Sequence, residues 1–434
     1  MAALFIDLRI ALLNLLEHRR RSAILATAIA VVACLSVLLS ALVSGARNST
    51  LDVATTIATG ELNVGGYFKV TAGQPAAVVS DYQPVKELVQ RTLPELDSMV
   101  DRGRGWGRVI SDQGVAIFAG IAGIDVGAEP RFRNVLSVAS GRLSDLQQPN
   151  TLLLFEEQAK KLGVKVGDSI TLLASTRNGA TNTVDCKVAA IARELGALTR
   201  LVVYISMPTW RQLYRVKNDV TGVLHLRVQP QFADNLPELA ERLRKALRGA
   251  GYQVMEGDGQ ASFNKLDRVS REDFRGQLLD VTTWEEELPF QKWSVGLLRG
   301  VGLVLLFTLS FITLAGVMNT LAIAVRERTR EIGTLRAIGL QRTGVARLFL
   351  LGALGATAGV ALAVVLIFIT NASAIPLPLV IQLFVMKATL TLALEPGASV
   401  VVIALITFAT TLAALFPTLR AARRSPVDAI AHFG

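Results

Sequence analysis

Four uncharged apolar runs constrain this chain more than any other feature of its sequence. Residues 22–44, 300–325, 348–370 and 398–419 contain no Asp, Glu, Lys or Arg. Each is long enough for a helix to cross a hydrocarbon core of about 30 Å, which takes roughly 20 residues. Buried helices of a large water-soluble protein would give shorter runs broken by polar positions, so all four are expected to span a bilayer. The first is also longer than the roughly 7–15 apolar residues of a cleaved signal peptide. Ahead of it, Phe5, Leu8, Leu12 and Leu15 recur at helical spacing, with Asp7, Asn14 and Glu17 elsewhere. That pattern suits an amphipathic helix in the headgroup layer leading into an uncleaved anchor.

Orientation follows from Lys and Arg near the span ends, because short basic loops stay cytoplasmic. Arg9, Arg19, Arg20 and Arg21 precede the first run, and Arg420, Arg423 and Arg424 follow the fourth. Between the second and third stand Arg326, Arg328, Arg330, Arg336, Arg342 and Arg347. The connection between the third and fourth has only Lys387, balanced by Glu395. Both termini and the second connection are therefore expected in the cytoplasm, with residues 45–299 on the opposite side. The cytoplasmic pieces supply most of the formal net charge of +10. The basic balance is thus a topology signal, and nucleic acid is not an expected partner.

Residues 45–299 have a mixed α/β pattern. "GVLHLRVQ" at 222–229 has strand composition, and "LPELAERLRKALRGAG" places Leu236, Leu239, Leu243 and Leu247 on one helix face before "YQVME" resumes an extended stretch. Earlier, "ELNVGGYFKV" suits a strand, "YQPVKELVQRTLPEL" a helix, and "MVDRGRGWGRVI" and "GVAIFAGI" two further strands. Two such units would build one module from both ends of the segment. Between them, "NTLLLFEEQAKKLGVKVGDSITLL", "TVDCKVAAIA" and "RLVVYISM" suggest an inserted sheet.

None of these pieces announces chemistry. Glu156 and Glu157 sit at a helix start, where acids favour the dipole. Ser111, Ser137 and Ser425 lack a G-x-S-x-G setting. No G-x-x-x-x-G-K-[ST] occurs, and "GRGWGRV" near Gly103 lacks the strand–helix context of a phosphate loop. Cys34 and Cys186 fall in different segments, so no disulfide framework is implied. His18, His225 and His432 are too scattered for a metal site. His225 alternates with apolar neighbours, which suits an outward strand position.

At Arg326 the chain changes character. "RERTREIGTLRAIGLQRTGVAR" sets Glu327 against Arg330 and Arg328 against Glu331 at helical spacing. Ile332, Leu335 and Ile338 form an apolar stripe, and Gly333 and Gly339 permit close approach or a turn. A solvated loop does not need such a stripe. No span carries a charge, which argues against an ion-coupled transporter. Ser310, Thr313 and Asn319 in the second run suit hydrogen bonds between helices.

These residues carry a family resemblance. "MNTLAIAVRERTREIGTLRAIGLQR" resembles the signature of the FtsX-domain ABC transporter permeases, the type VII superfamily that includes MacB-type exporters and the lipoprotein-releasing LolC/LolE permeases. "LLNLLEHRRRSAILATAIAVV", the Trp–acid stretch "VTTWEEELPFQKWSVGLLRG" and the ending "FPTLRAARRSPVDAIAHFG" resemble the same family. The resemblance implies an α-helical, multi-pass protein of the bacterial inner membrane with four transmembrane helices and a large mixed α/β extracytoplasmic domain. A cytoplasmic amphipathic helix (1–21) would precede helix 1 (22–46). The extracytoplasmic domain (47–292), Porter-like with a Sabre-like insertion at about 124–215, would lead into helix 2 (293–325). A cytoplasmic coupling helix (326–347), helix 3 (348–371), an extracytoplasmic loop (372–396), helix 4 (397–419) and a cytoplasmic tail (420–434) would complete the chain.

The resemblance further implies that the coupling helix docks on a separate ABC ATPase subunit, which would hold ATP and Mg; this chain would bind no cofactor and catalyse nothing. Arg326, Glu327, Arg330, Glu331, Gly333, Arg336 and Gly339 match the motif. The charged members would make polar contacts, and Ile332 and Leu335 would be buried. A second permease chain, identical or not, the lipid bilayer and a periplasmic carrier or adaptor are the other implied partners. ATP-driven motion would reach the external domain and there extract or export a lipoprotein or other hydrophobic cargo. The alternative is an FtsX-like signalling permease that activates an extracytoplasmic enzyme such as a cell-wall hydrolase.

Overall fold

The computed structural model describes residues 19–69, 75–176, 179–196, 198–327 and 343–422. The chain divides into two compact units. A helical unit takes the chain up to Asn48, then Val295–Pro376 and the chain from Thr389; an α/β unit takes Ser49–Ser294 and Leu377–Ala388.

Four long helices, Arg19–Ile57, Pro289–Glu327, Thr343–Ala372 and Pro396–Ala422, supply the helical unit. Among the described residues, the stretches Ala26–Ile57, Pro289–Ile312 and Ala353–Ala372 are long and apolar enough to cross a membrane, and the apolar stretch Pro396–Ala409 is shorter. The first and third helices pack through small residues. A Cβ on Gly359 would lie 2.2 Å from Ala30 O and 2.8 Å from Ala33 Cβ, and one on Gly355 would lie 3.0 Å from Ala26 O. Glycines one turn apart let helix backbones approach where no hydrophobic effect drives them together. Ile29, Ala33, Val37, Ala356, Ala363 and Ile367 are buried in the core of this unit. Phe307, Phe311, Phe368 and Phe408 instead stand exposed at 66%, 70%, 76% and 69%, a surface suited to acyl chains.

Ser310 departs from the expected bond between helices. Its hydroxyl donates to Leu306 O of its own helix at 2.8 Å, the local way to satisfy a hydroxyl in apolar surroundings. The side chain of Thr313 lies outside the described residues, and Asn319 is exposed.

The α/β unit holds two main sheets. The five-stranded sheet runs Gln253–Val254, Gly276–Thr283, Leu62–Lys69, Val223–Val228, Leu96–Arg102, so it draws strands from both ends of the segment. Its pairs are antiparallel except Gln253–Val254 against Gly276–Thr283. Helices Tyr82–Thr92 and Leu236–Gly249 bury Val85, Val89, Leu239, Leu243 and Leu247 in one cluster with Val64, Leu224, Leu226 and Val281. The leucine stripe legible in the sequence is the buried face of its helix.

The seven-stranded sheet runs Val138–Gly141, Thr181–Ala192, Thr151–Phe155, Val202–Ser206, Ala116–Ile124, Trp106–Ser111, Ser169–Ser175. The long strand Thr181–Ala192 pairs with Ser169–Ser175 through its first part and with Thr151–Phe155 through its last, closing six strands into a ring. Trp106–Ser111 and Ala116–Ile124 lie in this sheet, earlier in the chain than the sequence suggests for an insertion. The stretch from Leu96 to Ser111 is not one strand: it breaks after Arg102 and passes from one sheet to the other.

Leu377–Ala388 joins the same unit. Its helix Leu379–Val385 ends at Met386, which has φ 57° and is 1% exposed in a cluster with Ile57, Phe132 and Tyr204.

Candidate functional site

The polar chemistry of the α/β unit concentrates where two long helices enter it. The first long helix continues beyond its uncharged run to Ile57 because Val53, Ala54 and Ile57 bury a face among Ile124, Phe132 and Tyr204. A helix end leaves carbonyls without intrahelical donors. Here Arg102 supplies them: Nη1 donates to Ile57 O and Nη2 to Thr56 O, both at 2.6 Å. The same guanidinium donates from Nε to Glu129 Oε1 at 3.0 Å and from Nη2 to Glu129 Oε2 at 2.5 Å. Tyr204 OH donates to Ile57 O at 2.8 Å, and the Phe132 ring lies 5.2 Å from the guanidinium. A cation at a helix C-terminus also favours the dipole. Arg102 and Glu129 are only 3% and 6% exposed. Burial works against the Arg102 charge, but Glu129 outweighs it and raises the guanidinium pKa.

A second cluster stands where the second long helix begins. Glu286 accepts from Thr283 N at 2.7 Å and so caps the short helix Trp284–Glu287, after which Pro289 opens the long one. Glu287 accepts from Arg104 Nη2 at 2.8 Å, Ser262 Oγ at 2.6 Å and Thr282 Oγ1 at 2.8 Å. Burial pushes its carboxyl up, but the Arg104 charge and these hydrogen bonds outweigh burial and hold it below the usual carboxylate range. Beside it, Lys265 is 1% exposed and donates to both carboxylate oxygens of Asp280, at 2.9 and 3.1 Å. Ser262 and Lys265 have S-x-x-K spacing, yet hydroxyl and ammonium both donate to Asp280 and act as a lock.

His225 corrects the outward position expected for it. It is 9% exposed, because its strand is central in the sheet and Thr55, Thr56, Ala128 and Pro130 line the same cleft of about 300 Å³ over its second face. Desolvation, then the charges of Arg102 and Arg104, hold its pKa well below the ordinary value. The unfolded chain therefore binds this proton more readily, and stability falls as pH drops below about 6.5. Glu287 acts in a lower window: its stabilisation is present above about 4.3 and is lost as pH falls through its folded value. In the full chain in detergent, amide protection of Val223–Val228 is expected to fall from about pH 7.5 to about pH 5.5, by up to ~1.4 kcal/mol per unit. His225→Gln should remove that decrease; the same decrease in the variant would refute the assignment.

Of the residues expected to meet an ATPase, Arg326 and Glu327 close the second long helix. Arg330, Glu331, Ile332, Gly333, Leu335, Arg336 and Gly339 lie outside the described residues, as do residues 1–18 and 423–434. Glu156 and Glu157 occupy the first turn of the helix Glu156–Leu162, and Cys34 and Cys186 are free and buried. Among the described residues no cluster could hold a metal ion. What the structure brings together is Arg102, Arg104, Glu129 and Glu287, which the sequence did not single out. Two arginines around one glycine in "DRGRGWG" were the available signal, but their partners are distant in the chain.

Residues 303–426 match the family model described as FtsX-like permease C-terminal. No curated protein sequence gives a significant match. Among solved structures, the periplasmic region of MacB from Actinobacillus actinomycetemcomitans is similar at 14% identity and a TM-score of 0.29, covering 44% of this chain and 85% of its own. A domain from Porphyromonas gingivalis described as a permease protein is similar at 15% identity and a TM-score of 0.25, covering 51% and 86%. Likenesses this distant carry no argument about the α/β unit.

Proposed function

From the premise that this chain carries an FtsX-like permease C-terminal domain over residues 303–426, we propose that it is the permease subunit of an ABC transporter of the MacB/LolCDE type. It crosses the bacterial inner membrane four times with both termini in the cytoplasm, and its α/β unit lies outside. The Arg/Glu segment that follows the second long helix couples to a separate ATPase subunit that holds ATP and Mg, and two permease chains complete the complex.

The observation that carries this reading is that the family match encloses the Arg/Glu segment after the second long helix. ATP binding moves that segment, and the first and second long helices relay the movement to the α/β unit. There it extracts or exports a lipoprotein or another hydrophobic cargo, with no conduction path through the uncharged spans. Arg102 and Glu287 support the relay: Arg102, at the end of a strand, holds the last carbonyls of the first helix, and Glu287, just ahead of the second, is held by Arg104 and by Thr282 of another strand.

Glu331→Arg combined with Arg336→Glu tests the proposal. The double variant is expected to reach the membrane at the parental level and to lose co-purification of the ATPase at least tenfold. Parental recovery of the ATPase would overturn the assignment of the coupling helix.

A further inference from the structure

On that force-transmission reading, we propose that residues 102–104, Arg–Gly–Arg, are the yoke through which both membrane helices act on the two sheets. Three observations place it. The first is position. Strand Leu96–Arg102 closes the five-stranded sheet and Trp106–Ser111 opens in the seven-stranded one, so residues 103–105 are the crossing between them. The returning chain crosses at the same point, where Gly222 N donates to Arg102 O at 3.0 Å.

The second is lack of slack. Gly103 exchanges backbone hydrogen bonds with Gly123, at 2.8 and 3.1 Å. A Cβ on Gly103 would lie 2.4 Å from the Trp210 ring, one on Gly105 2.1 Å from the Tyr214 hydroxyl, and one on Gly222 2.3 Å from Arg104 N. Trp210 is fully buried, so the crossing is pinned against a rigid ring in a close-packed core.

The third is reach. From this pinned segment Arg102 grips the carbonyls that end the first long helix, and Arg104 grips Glu287, which leads into the second. A planar guanidinium bonded at four points resists displacement in a way a lysine cannot. A buried pair such as Arg102–Glu129 is often no more stabilising than apolar side chains of the same size, so stability alone does not account for it. With both helix roots held to one short segment, the α/β unit responds to the relative movement of the two helices. Arg102 and Arg104 are positioning residues in this scheme.

Arg102→Met with Glu129→Leu removes both charges at once and leaves no lone buried ion. The full chain is isolated from membranes with its ATPase and probed with ATP and vanadate, and exchange of the Leu96–Arg102 and Trp106–Ser111 amides is followed. The parent should show a nucleotide-dependent change in both strands. The double variant should lose it at least tenfold while keeping parental ATPase recovery, basal ATP hydrolysis and protection of the Leu236–Gly249 helix. A nucleotide-dependent change of parental size in the double variant would overturn the yoke. Should that variant not accumulate folded, Arg102→Lys is measured instead: it keeps the charge but cannot span Glu129 and two carbonyls, and a parental response there overturns the yoke equally. A parent that shows no nucleotide-dependent change refutes force transmission itself, and the yoke with it.

Discussion

Asp280→Ala is expected to destabilise the α/β unit by about 3–5 kcal/mol, the cost of leaving one member of a buried ion pair alone. Asp280 is 1% exposed, as is Lys265, and it accepts from Lys265 Nζ and from Ser262 Oγ at 2.9 Å each. Removing it strands the ammonium in the interior, where an unmet donor bears its full desolvation cost, while the Ser262 hydroxyl keeps Glu287 as its acceptor. Asp258 also lies 3.1 Å from Lys265 but is 20% exposed and bridges to Arg268, so it offers only partial relief. Lys265→Met combined with Asp280→Leu should recover most of the loss, because a buried pair can be exchanged for apolar groups at little cost. Unfolding of the full chain in detergent, followed by protease susceptibility across a denaturant series, measures both. Asp280→Ala within ~1 kcal/mol of the parent would show that the Lys265 ammonium finds another partner.

Trp210→Ala is the second large effect, at about 3–5 kcal/mol. The ring is fully buried, fills the space left by Gly103 and Gly123, and lies 5.4 Å from the Tyr214 ring. Its loss opens a cavity that a closed ring of strands cannot collapse to fill. Gly103→Ala acts on the same contact from the other side and should cost about 1–3 kcal/mol through overpacking, since the new methyl meets ring carbons rather than a flexible chain end. The two substitutions together should cost less than their sum, because removing the ring makes room for the methyl. Additive losses in the same unfolding assay would place the strain of Gly103→Ala somewhere other than against Trp210.

Features carried by short stretches were open to reading in the sequence. The uncharged runs marked apolar helices, and Leu236, Leu239, Leu243 and Leu247 marked a buried helical stripe. The extended and helical segments at both ends of 45–299 were recognisable, and the five-stranded sheet unites them. Where sequence pattern fell short, the cause was a neighbour from a remote segment. His225 alternates with apolar residues and would face water in a one-sided sheet, but residues 55–56 and 128–130 cover it. Ser310 turned to its own helix. "MVDRGRGWGRVI" has the composition of one strand but serves two sheets, and at the crossing Gly103 lies against the Trp210 ring from a remote segment.

By itself, the sequence determined the apolar helices, the charged segment after the second of them and the strand–helix alternation between the first two. Each of these depends on periodicity or composition within a few turns of chain. The tertiary structure alone decided that Arg102 meets Glu129 and the end of the first helix, and that Arg104 meets Glu287. Those partners stand 27, 45 and 183 residues away along the chain. A buried charge needs a partner, but nothing local names which one, so that choice belongs to the packing of the whole unit.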